Sequence, residues 1–87
     1  MKGSITIVGT NKATQNFIGE SFNNAEITRN GILHKIILND KKYLLDIKST
    51  YIYDDYMLIF GNLSDDQSMV GNIAFEFHPQ NNKKDTN

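Results

Sequence analysis

Apolar residues alternate with polar ones along most of this chain, and they seldom recur at helical spacing. Such a period-two pattern, enriched in β-branched and aromatic residues, predicts strands half-buried on one face. The first runs from Gly3 to Gly9, with Ile5 and Ile7 on one side. Gln15 to Phe22 carries Phe17, Ile18 and Phe22 and reads as a strand or a helical turn. Asn23-Asn24 marks a turn, and Ala25 to Thr28 opens the next strand.

Asn30-Gly31 is the strongest local signal. A type I′ hairpin needs positive φ at both central residues, which Asn and Gly tolerate best, so Ile27-Thr28-Arg29 is expected opposite Ile32-Leu33-His34. The returning strand ends at Leu38, with Ile32, His34, Ile36 and Leu38 on one face. Asn39-Asp40-Lys41 makes the following turn. Lys42 to Lys48 alternates Tyr43, Leu45 and Ile47 against Lys42, Leu44, Asp46 and Lys48, as in an antiparallel sheet with one wet side. Thr50 to Tyr53 and Tyr56 to Phe60 flank Asp54-Asp55 as a further hairpin. Gly61 to Ser68 reads as a polar loop, and Met69 to Phe77 as a last strand ended by Pro79.

The expected fold is therefore all-β: an antiparallel meander, small barrel or sandwich of about six or seven short strands. An α+β fold with one helix around residues 12–22 is the alternative. Residues 1–78 form one β domain, and residues 79–87, which lack apolar side chains beyond Pro79, form a disordered polar tail.

Length sharpens this picture. A chain of 87 residues has room for one modest core, and small scaffolds commonly add disulfides, a metal or a second subunit. With no cysteine, disulfides and thiolate metal sites are excluded, and only His34 and His78 offer imidazole. No cofactor or metal is expected, and oligomerisation through open strand edges is the accessible stabiliser. The first residues lack the apolar length of a signal peptide, and no run matches a membrane span, so a soluble cytoplasmic protein is expected. The bias toward Asn, Ile, Lys, Tyr and Phe suggests AT-rich coding and a low-GC bacterium or its mobile elements.

The formal net charge of −1 hides an asymmetry. Arg29, Lys35, Lys41, Lys42 and Lys48 fall between residues 27 and 48, offset only by Asp40 and Asp46. From Ser49 to Phe77 there are Asp54, Asp55, Asp65, Asp66 and Glu76, with no Lys or Arg. Such halves could steer a charged partner or attract each other between subunits.

The stretch from Tyr51 to Phe60 is the most distinctive. Polymerases hold catalytic magnesium on paired carboxylates at a hairpin tip, but that chemistry needs a third carboxylate and a palm domain, for which this chain has no room. Asp is also common in turns for backbone reasons alone. Tyr supplies rigid amphipathic contact area, so Tyr51, Tyr53 and Tyr56 beside Asp54 and Asp55, with Asp65 and Asp66 adding charge, suit capture of a basic protein surface. The Asp65-Asp66 loop lacks the ligand spacing of a calcium hand. No nucleophile, base and orienting group can be assembled from His34, His78 or the Val8 to Lys12 stretch.

The expected function is a non-catalytic protein-binding module, of the kind that serves as a small accessory or inhibitory protein of a phage or plasmid. One alternative is a small barrel binding single-stranded nucleic acid through Arg29, Lys35, Lys42 and Lys48 with Tyr43 as stacking platform. Another is a structural homo-oligomer built by edge-strand addition.

Overall fold

A computed structural model describes residues 1–11, 19–65 and 69–80, with only the backbone described for residues 69 and 70. The fold is all-β. Six strands follow one another around a closed antiparallel barrel: β1 (Lys2–Thr10), β2 (Ser21–Asn30), β3 (Leu33–Leu38), β4 (Lys41–Ile52), β5 (Met57–Ser64) and β6 (Met69–Pro79). The ring closes by β6 pairing with β1, Ile5 opposite Phe77 and Ile7 opposite Phe75. The described residues contain no helix. Residues 12–18, which hold most of the alternative helix, and residues 81–87 of the expected tail lie outside the description.

The inward faces follow the alternation read from the sequence. Ile5, Ile7, Ile27, Ile36, Leu38, Tyr43, Leu45, Ile59, Leu63, Ile73, Phe75 and Phe77 fill the interior. Removing these side chains from water at about 25 cal/mol per Å² is the force that closes the ring.

Four local expectations are corrected, each for a backbone reason. First, β2 and β3 join through Gly31-Ile32, because Asn30 pairs with Leu33 and Arg29 with His34. Positive φ falls on Gly31 alone (70°), and glycine at the first central position is the type II′ pattern. The shift keeps Ile27 opposite Ile36 inside the barrel and leaves Ile32 at the turn, 92% exposed. The type I′ geometry occurs one hairpin later, at Asn39 (φ 51°) and Asp40 (φ 70°).

Second, Asn23-Asn24 does not turn the chain. The β1–β2 register slips there, Gly3 facing Ala25 and Ile5 facing Phe22, which makes a β-bulge within one continuous strand. Third, β4 is a single strand through Ile52, again bulged: Ile47 faces Gly61 and Ser49 faces Phe60, leaving Lys48 as the extra residue. Fourth, Gly61 to Ser64 is not loop but the second half of β5, and β6 extends through Pro79, with the Gln80 N–H donating to the Lys2 carbonyl at 2.8 Å.

Closure also changes the expectation of open edges. Every strand has two neighbours, so unpaired backbone is confined to places where one strand outruns the next. β4 is the clearest example. Its pairing with the shorter β3 ends at Leu45, whereas its pairing with β5 continues to Ile52.

Candidate recognition face

The Lys48 bulge decides where the tyrosines point. Before it, Tyr43, Leu45 and Ile47 face inward, and simple alternation would send Ser49 and Tyr51 inward too. One extra residue reverses the parity. Tyr51 then lies opposite Leu58, and Ser49 opposite Phe60, on the outside of the barrel. Tyr51 is 53% exposed and meets the Phe60 ring edge-on, with centroids 5.9 Å apart.

Gly61 makes the bulge possible. A Cβ at that position would sit 2.5 Å from the Asp46 carbonyl oxygen, so no side chain can be accommodated while the strands keep this approach.

Beyond Ile52 and Met57 the chain turns through Tyr53 to Tyr56, closed by the Tyr53 N–H donating to the Tyr56 carbonyl at 2.9 Å. Asp54 and Asp55 stand exposed at the tip, as expected of a hairpin here. The Tyr53 and Tyr56 rings stack at 5.0 Å. His78 stacks in turn on Tyr56, 5.2 Å away at an interplanar angle of 17°. Its Nε2 lies 3.0 Å from Glu76 Oε1. Glu76 faces Leu58 in the β5–β6 register, and Leu58 faces Tyr51. The three tyrosines thus belong to one outward face shared by β4, β5 and β6. Beside the tip a shallow hollow of about 430 Å³ is lined by Ile52, Tyr53, Asp54, Asp55, Met57 and Pro79, among others.

Not all the expected residues join this face. In an up-and-down barrel, successive connections alternate between the two ends. The Tyr53–Tyr56 hairpin and the Gly31-Ile32 turn lie at one end, and Asp65, which follows β5, lies at the other. Asp66 is outside the described residues. Conversely, Phe60, Leu58, Glu76 and His78 belong to the face although nothing in the local sequence assigns them to it. By pattern alone Phe60 is a strand end before a loop, and His78 is an isolated exposed histidine. Leu58 and Phe60 reach Tyr51 through the β4–β5 register, and Glu76 and His78 reach the tyrosines through the β5–β6 register that sets Met57 opposite Phe77; no local motif encodes either.

The cations are more dispersed. Lys35 faces Leu44 and Lys42 faces Ile37, so these two share the outer surface of β3 and β4. Arg29 has the opposite parity, facing His34, and its Nε donates to the Gly31 carbonyl at 3.3 Å. Lys48 sits on the bulge, 3.0 Å from Asp46. Tyr43, the expected stacking platform, is buried at 8% exposure, with Lys41 Nζ 5.3 Å from its ring centre.

The described residues contain no cluster of three His, Cys, Asp or Glu arranged to hold a metal ion. They also contain no helix long and apolar enough to cross a membrane. His34 turns toward the interior, where its Nδ1 is buried with no hydrogen-bond partner among the described residues. No family model, no curated protein and no solved structure gives a significant match to this chain.

Proposed function

We propose that this barrel is a non-catalytic protein-binding module that captures a basic partner surface on the face formed by Tyr51, Tyr53, Tyr56 and the Asp54-Asp55 tip. The observation that carries the reading is the outward stack Tyr53–Tyr56–His78 beside two exposed carboxylates. Aromatic side chains left half in water on a rigid sheet supply large contact area at low entropic cost, as in binding hot spots. The carboxylates add orientation and association rate more than affinity. No Lys or Arg occurs between Ser49 and Phe77, so a cationic partner meets no lysine or arginine from that stretch.

The test is capture of partners on immobilised protein, with nuclease treatment as one arm and the Asp54→Ala/Asp55→Ala/Tyr56→Ala variant as another. A protein retained by the native surface, insensitive to nuclease and lost with the triple variant, is the expected result. Retention unchanged by the triple variant overturns the reading. Nuclease-sensitive retention that instead needs Lys35 and Lys42 and fades steeply with salt transfers the function to nucleic-acid binding. An accessory or inhibitory role for a phage or plasmid is a narrower form of the same proposal, resting on composition alone.

A further inference from the structure

Between Asp46 and Ile52, β4 has β5 on one side and, among the described residues, no strand on the other. Antiparallel strands send their N–H and C=O groups alternately to either side, so this stretch presents a short row of backbone donors and acceptors to solvent. Folded proteins usually blunt such a row with a bulge, a lysine or a proline. The first part of the stretch is blunted in this way, by the Lys48 bulge and the Asp46–Lys48 pair. The second part is not. Ser49, Thr50, Tyr51 and Ile52 include no charge, proline or glycine, and three of the four are β-branched or aromatic residues that favour extended backbone. Tyr51 is exposed on the outer side of this edge, and Ile52, 76% exposed, has the opposite parity.

From these observations, and resting on the protein-binding function proposed above, we infer that residues 49–52 of β4 are a docking edge to which an extended, lysine- or arginine-bearing segment of the partner adds as a further strand. In strand addition the backbone supplies affinity and alternate side chains supply specificity. Here Tyr51 and Ile52 offer apolar contact on the two faces. The Asp54-Asp55 tip, just beyond the edge, meets the cations of the incoming segment.

Charge selects this occupant over a second copy of the chain. An antiparallel copy centred on residues 49–52 would bring its Asp54-Asp55 tip alongside the Asp46–Lys48 stretch, where the local charge is already cancelled within a 3.0 Å pair. A cationic strand instead meets the Asp54 and Asp55 carboxylates, which form no ion pair among the described residues.

The experiment titrates the full chain with a capped heptapeptide of alternating Lys and Val. The control is the same peptide N-methylated at its five central amides, which keeps charge and sequence but removes the donors of both strand edges. Binding is read by NMR, with amide hydrogen exchange at residues 49–52. We expect the unmethylated peptide to bind with a Kd of about 1 mM or tighter at low salt, to slow exchange within residues 49–52, and to bind at least ~10-fold more tightly than the methylated one. The Asp54→Asn/Asp55→Asn variant should weaken it.

Equal binding of both peptides, weakened by the Asn variant, overturns strand addition and leaves the charged aromatic face standing. Sensitivity to methylation with no effect of the Asn variant overturns the cationic class, and with it the role given to the tip above. No binding of either peptide overturns the docking edge, while the capture experiment still judges the face. Slow exchange at residues 49–52 without peptide, together with a dimer mass by light scattering, overturns it in favour of a second copy.

Discussion

The two halves of β4 are built for different tasks. From Lys41 to Leu45 the strand pairs with β3, joined by β5 from Leu44 onward, and it drives Tyr43 and Leu45 into the interior. From Ser49 to Ile52 the same strand keeps, among the described residues, only β5 as a neighbour, turns Tyr51 outward and leaves Ile52 largely in water. The sequences of the halves are similarly apolar. The difference comes from neighbours: where β3 ends, an alternating strand has nothing to bury its side chains against, and one inserted residue decides which of them meet solvent. A barrel of unequal strands can thus hold its fold with one part and offer contact surface with another.

If this division holds, Leu45→Ala and Tyr51→Ala should differ more than any other comparable pair. Leu45 is fully buried, so its truncation should cost about 2–5 kcal/mol through lost transfer energy and a residual cavity. Tyr51 is half in water, with its ring against Phe60, so its loss should stay within about 1 kcal/mol. Urea unfolding midpoints of the two variants measure this directly. Equal losses would break the comparison, because they would make the outer half part of the stabilising core.

Gly61→Ala tests the junction. The added Cβ would meet the Asp46 carbonyl at 2.5 Å, so the β4–β5 approach must open beside the bulge. A destabilisation of about 1–3 kcal/mol is expected, the range for forcing extra volume into a closed contact. The change should also disturb the Tyr51 and Phe60 ring signals in NMR spectra while leaving Ile5 and Phe77 near their native shifts. A uniform shift across the barrel would show that the bulge is no independent joint.

The tyrosine pair should matter less to folding than either site. Tyr53 and Tyr56 are stacked at 5.0 Å but partly exposed, and aromatic pairs are worth about 0.5–1.5 kcal/mol beyond area burial. A double-mutant cycle with Tyr53→Ala and Tyr56→Ala should give a coupling at or below the low end of that range. A larger coupling would mark the stack as structural, kept to hold the hairpin rather than to meet a partner.

Much of the closed part is legible in the residue pattern itself. Alternation places Ile5, Ile7, Ile36, Tyr43, Leu45, Ile73 and Phe75 inside, because a period of two leaves little choice once one face must leave water. The hairpin at Asp54-Asp55 is legible for similar reasons, with turn residues between two apolar runs. Bulges are not. Asn23-Asn24 has the composition of a turn and serves as an inserted kink, and Lys48 resembles any exposed strand lysine. A bulge is specified by the strand opposite, here by the missing side chain of Gly61, and such pairings are long-range. The same limit hides the recognition face: Tyr51 through Tyr56 form one visible run, whereas Phe60 joins it through the β4–β5 register and Glu76 and His78 through the β5–β6 register. It also separates Asp65 from Asp54 and Asp55, since carboxylates of one acidic segment can lie at opposite ends of a barrel.

The smallest expected effect on stability concerns Lys48. Its pair with Asp46 is 3.0 Å long, but the two side chains are 60% and 43% exposed, and solvent-exposed pairs contribute about 0–1 kcal/mol. Replacing Lys48 by valine should change stability by no more than about 0.5 kcal/mol, since the bulge is fixed by Gly61 and by the register on either side of it. If the lysine contributes at all, it is through what it prevents. A charge on an unpaired stretch discourages another strand from docking there, and valine would extend the uncharged row to residues 47–52. The variant should therefore unfold like the native chain yet self-associate at lower concentration, seen as a rising mass in light scattering. A monomeric variant destabilised by more than about 1 kcal/mol would reverse the assignment. Lys48 would then belong to the part of β4 that holds the barrel rather than to the junction between the two halves.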